Sequence, residues 1–72
     1  MYNIWVGAPE VARLSVVAVI ARLGGLSVEE ATARFEARAS APVLGGLDAA
    51  AAQHAVHEFQ RISGVEAVAQ AG

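Results

Sequence analysis

His54 and His57 stand three residues apart, followed by Glu58 and, further on, Arg61. On a helix, His54, His57 and Glu58 share a face, and imidazole with carboxylate is a ligand set that suits zinc. No third strong ligand is found elsewhere in the chain, so the pattern reads as a solvated helix face. Glu29 and Glu30 resemble an acid–base pair, but successive helical side chains point about 100° apart and cannot share a substrate. They suit the first turn of a helix, where the peptide dipole favours negative charge. Ser15, Ser27, Ser40 and Ser63 lack a nucleophile-elbow setting. Gly24-Gly25 and Gly45-Gly46 match no phosphate-binding loop. The residues therefore assign no catalytic centre, no metal and no cofactor, and the chain reads as a non-enzyme.

Composition narrows the classes further. Seventy-two residues make one domain, ordered over 1–69 with a fraying tail at 70–72. A domain this small buries only about 60% of the surface its unfolded chain exposes. Hydrophobic residues make up 56% of it, many of them alanine. Cysteine is absent, so neither disulfides nor thiolate metal sites add to the core. Seven acids face five arginines and no lysine, a net charge of −2. Without a basic cluster the chain is a poor ligand for nucleic acid or an anionic membrane. The N-terminus has no charged leader pattern, and the longest apolar run, Val16 to Ala21, is far below the roughly 18 residues of a membrane span. The expected location is the cytoplasm.

The elements follow from periodicity and punctuation. Tyr2 to Val6 is aromatic and β-branched, hence a strand, with Tyr2, Ile4 and Val6 on one face and Asn3 and Trp5 on the other. Gly7 to Pro9 ends it. A helix covers roughly Val11 to Leu23, its apolar arc formed by Val16, Val17, Val19, Ile20 and Leu23. Ser27 caps a second helix, with Glu30 three residues on as a capping box and Glu30–Arg34 spaced as an ion pair. Val28, Ala31, Phe35 and Ala39 form its inner stripe. Val43-Leu44 reads as a short strand closed by Gly45-Gly46. Asp48 caps a third helix, Ala49 to Ser63, that buries Ala52, Ala55, Val56, Phe59 and Ile62 and stops at Gly64. Val65 to Ala69 is the last strand.

The order β-α-α-β-α-β predicts an α/β (α+β) fold, with helices on one face of a three-stranded antiparallel sheet and the first strand in the middle. This order resembles the C-terminal domain of the bacterial ribosomal stalk protein. The apolar VVAVI helix, the glycine-linked EEA helix, the Ala41-to-Gly45 segment and the final Ala-rich helix carry the likeness. The helix-Gly-LSVEEA portion also resembles the N-degron adaptor of the Clp protease, which shares that fold. The stalk resemblance implies that the first two helices dock a protein partner, a translation GTPase, through an apolar pair matching Val17 and Ile20. The family's lysines fall near Val16, Ala21 and Thr32, where this chain offers only Arg22 and Arg34 nearby. The adaptor resemblance implies an amine-binding acid after the first strand, where Ala8, Pro9 and Glu10 stand. Its histidine falls at Ala37 and Arg38.

The sequence thus leads to a protein-interaction module. Its expected docking residues are Leu14, Val17, Ile20, Ala21, Arg22, Glu30 and Arg34, with Val17 half exposed. The alternative is a structural homo-oligomer that associates through the open sheet face, at Trp5 and Val68, or along a strand edge. Against it stands the reading in which Trp5, one of the few large residues, is simply core.

Overall fold

The computed structural model describes residues 1–72 and contains β1 (Tyr2–Gly7), α1 (Arg13–Gly24), α2 (Val28–Glu36), β2 (Leu44–Leu47), α3 (Ala49–Gln60) and β3 (Glu66–Ala71). A single 3-10 turn, Glu10–Ala12, leads into α1. The sheet order is β2-β1-β3, so the first strand is central and antiparallel to both neighbours, as its apolar sequence predicts. Helix α1 packs against α2 and α3, and α3 lies on the sheet.

Each start and stop has a local cause. At α2, Ser27 Oγ accepts the Glu30 N–H at 3.1 Å, and at α3, Asp48 Oδ1 accepts the Ala51 N–H at 2.8 Å. The capping box is one-sided, since no bond returns from the Glu30 side chain. Gly25, at φ +63°, closes α1 in the left-handed conformation that a Cβ would penalise, and its N–H bonds to Ala21 O. The chain then turns through 118° into α2. No single helix is long and apolar enough to cross a membrane.

Ile4, Ile20, Val16, Val43, Phe35 and Phe59 are the largest fully buried side chains. Two arginines lie over the Phe35 ring, Arg13 at 5.0 Å and Arg38 at 4.0 Å from its centroid. The aromatic core is therefore roofed by charged groups whose stems supply apolar cover.

Several boundaries differ from the sequence expectation. The first helical segment begins as a 3-10 turn and becomes α-helix only at Arg13. Strand β2 runs through the two glycines instead of ending at them. Tyr2 pairs with Leu47 and Ile4 with Leu44, so β2 carries one extra residue, accommodated by a bulge with Gly46 at φ +69°. Helix α3 stops at Gln60, three residues early. Gln70 and Ala71 belong to β3, paired with Asn3 and Tyr2, and Gly72 N–H reaches Met1 O at 3.1 Å. Val28 and Ala39, placed on the inner stripe of α2, are exposed, because α2 is only nine residues long and Ala39 lies beyond its end.

Candidate functional site

The residues expected to dock a partner do not form one surface. Val17 is only 5% exposed and Ile20 is 0% exposed, so both are core and the half-exposed position expected for Val17 is wrong. The apolar arc of α1 is wide enough that the wheel alone leaves its orientation open, and packing between α2 and α3 turns Val16, Val17, Val19 and Ile20 inward. Leu14 lies on the opposite side, 83% exposed. Ala21 is partly covered and Arg22 is exposed. Glu30 and Arg34 form no ion pair; Arg34 instead donates to Val43 O at 3.3 Å, tying α2 to the segment before β2.

The outer face of α1 is an apolar ridge nonetheless. Val11, in the 3-10 turn, is 93% exposed. Val11, Leu14 and Ala18 follow one another at helical spacing, all exposed, with Ala21 at the edge. Val11, where the sequence expectation starts the helix, is not among the expected docking residues. Its signal in the sequence is its place in line with Leu14, on the side away from Val16 and Ile20.

Ion pairs close both flanks of this ridge. Toward α2, Arg13 bonds to Glu10 at 2.8 Å and to Glu36 at 3.1 Å. Arg38 reaches the same Glu10 at 3.4 Å. The Arg13 hydrogen bond chiefly holds the Glu10 carboxyl below the usual glutamate range, and Glu10 with Glu36 raises the Arg13 guanidinium in return. Toward α3, Glu58 lies between Arg22 at 3.0 Å and Arg61 at 3.3 Å. Arg22 first, then Arg61, holds its carboxyl below the usual range despite partial desolvation. Two exposed guanidiniums share one largely buried carboxylate here, so this flank carries surplus positive charge. A shallow groove beside it is lined by Val11, Ser15, Arg61, Ile62 and Ser63.

The other sequence candidates fall elsewhere. Glu58 is engaged by arginines and not turned toward the exposed His54 and His57, and no group of three His, Cys, Asp or Glu side chains is placed to hold a metal. Glu10, the acid at the adaptor's amine-binding position, is occupied by Arg13 and Arg38. Trp5 is not in the core: it sits half-buried on the sheet face that the helices leave open, directly opposite Val68, which is 58% exposed. Compared with protein-family models, curated proteins and solved structures, the chain has no match.

Proposed function

We propose that this chain is a non-catalytic docking module of the cytoplasm that offers the outer ridge of α1 to a partner protein. The observation that carries this reading is the alignment of Val11 and Leu14, two of the most exposed large apolar side chains in the molecule, on one helical stripe with Ala18. Isolated exposed apolar residues are ordinary, but an aligned pair bordered by charged groups has the apolar centre and polar rim of an interface. Arg22 and Arg61 define what the partner presents: an apolar anchor with a carboxylate beside it. The resemblance to the stalk domain makes a translation GTPase the first partner to try, with anchors moved from Val17 and Ile20 to Leu14 and Val11.

The test compares the chain with Leu14→Glu as bait in a cell lysate. Capture of a protein that Leu14→Glu loses, and that Arg61→Glu weakens, supports the ridge. Equal capture by all three overturns it.

A further inference from the structure

The free edge of β3 is long, uncovered and nearly uncharged. Gly72 N–H bonds to Met1 O, and β1 pairs with β3 residue for residue from Tyr2–Ala71 to Gly7–Glu66. Antiparallel ladders alternate. Glu66, Val68 and Gln70 therefore bond inward to β1, while Ala67, Ala69 and Ala71 turn their N–H and C=O groups outward. One of these outward groups has a side-chain partner, Ala67 O, which Gln60 Nε2 approaches at 3.5 Å. Natural edge strands are usually guarded by lysine, proline or an inward charge. Glu66 is the single charge on this one, and proline is absent from it.

The helix above the edge has the same character. Gln60 reaches β3, and Ala49, Gln53 and Val56 line a groove with Ala69 and Tyr2. These positions place Ala49, Gln53, Val56 and Gln60 on one flank of α3, the flank toward the free edge, and none is charged. The charged residue of α3, Glu58, is turned away from it toward Arg22 and Arg61, and the exposed His57 borders the flank beside Gln53.

We infer that β3 pairs edge to edge with β3 of a second copy of this chain, around a two-fold axis through Val68. In that register Val68 faces Val68 of the second copy, and each Glu66 carboxylate faces the Gln70 carboxamide of the other chain, a donor for an acceptor. Ala67 and Ala69 of one copy exchange main-chain hydrogen bonds with Ala69 and Ala67 of the other, matching the groups that point outward. Shifting the pairing by two residues toward Glu66 brings Glu66 beside Val68, and shifting it the other way sets Val68 against Gln70. The chosen register alone matches apolar with apolar and donor with acceptor. It also builds a continuous row across the open face, Trp5–Val68–Val68–Trp5. Pairing the strands about 4.8 Å apart brings the two α3 helices, each lying over β3 and β1, side by side with their flanks of Ala49, Gln53, Val56 and Gln60 facing.

The interface is small, so sedimentation velocity is run from about 10 µM to about 1 mM. The wild-type chain shifts from monomer to dimer across that range. Ala69→Pro removes an outward N–H that β1 does not use; it folds by circular dichroism and stays monomeric. Val68→Lys, at an exposed position, sets two cations against each other on the axis and also stays monomeric. Leu14→Glu dimerises like the wild type, which separates this surface from the α1 ridge. Amide exchange reads the register: Ala67 and Ala69 become protected as concentration rises, while Val68 and Gln70 do not change. A wild-type chain that is monomeric at every concentration overturns the inference. So does a dimer that survives Val68→Lys, or one that leaves Ala67 and Ala69 unprotected.

Discussion

Arg38 holds its guanidinium 4.0 Å above the centre of the Phe35 ring while donating to Phe35 O at 3.0 Å and to Ala8 O at 2.9 Å. One side chain thus covers one of the two core phenylalanines, adds a second donor to the Phe35 carbonyl where α2 ends and fastens α2 to the loop after β1. Arg38→Ala is expected to cost about 2 kcal/mol, from the lost ring contact and the Ala8 carbonyl left without its donor, while Phe35 O keeps the backbone N–H of residue 38. Arg38→Lys is expected to recover less than half, because an ammonium cannot lie flat on the ring and bridge both carbonyls. Urea denaturation of the three proteins measures this.

The two helix caps make a simpler comparison. Ser27→Ala and Asp48→Ala each remove a side-chain acceptor from an N-terminal N–H, at about 1 kcal/mol apiece. In a domain of this length that is a fall of roughly 4–8 °C in melting temperature, readable by calorimetry. The sites lie on different helices, so the losses in the double variant are expected to add.

Leu14 and Val17 are three residues apart on α1 and opposite in consequence. Leu14→Glu exchanges one exposed side chain for another and is expected to change stability by no more than about 0.5 kcal/mol. Val17→Glu buries a carboxylate among apolar neighbours and costs on the order of 4 kcal/mol, comparable to the whole stability of a domain this size. Circular dichroism distinguishes them: a folded Leu14→Glu protein and an unfolded Val17→Glu protein. For this reason Val17→Glu cannot serve as a docking variant.

Acid is expected to loosen the α1–α3 connection. Arg22 and Arg61 hold the folded-state pKa of Glu58 below its ordinary value of 4.5. The folded chain therefore binds this proton less readily than the unfolded chain. The stabilising contribution is full above pH 4.5 and is lost as pH falls through the depressed folded value. Glu10, lowered by Arg13 and Arg38, acts in the same direction. Glu58→Gln is expected to flatten the fall in stability below pH 4.5 relative to wild type, measured by denaturation at a series of pH values.

What the sequence revealed depended on whether a feature was local. Ser27 and Asp48 act within one turn of chain, and the structure keeps both capping roles. Element order and the central place of β1 followed from connection geometry. Orientation was harder. Apolar residues surround most of α1, so only packing against α2 and α3 decided that Val17 goes in and Leu14 stays out. Alternation put Trp5 opposite Ile4, but only the position of the helices decided which face was covered. Arg34 pairs with a backbone carbonyl and not with Glu30, a choice invisible to helical spacing.

The central position of β1 has a consequence for the order of assembly. The first strand of this domain needs β2 and β3 on its two edges, and β3 lies at the far end of the domain. One edge of β1 therefore stays unpaired until the far end of the domain has been made. The helices are built from local contacts, whereas the sheet is completed through the most distant pairing in the molecule. Such long-range closure slows folding relative to helical domains of equal length.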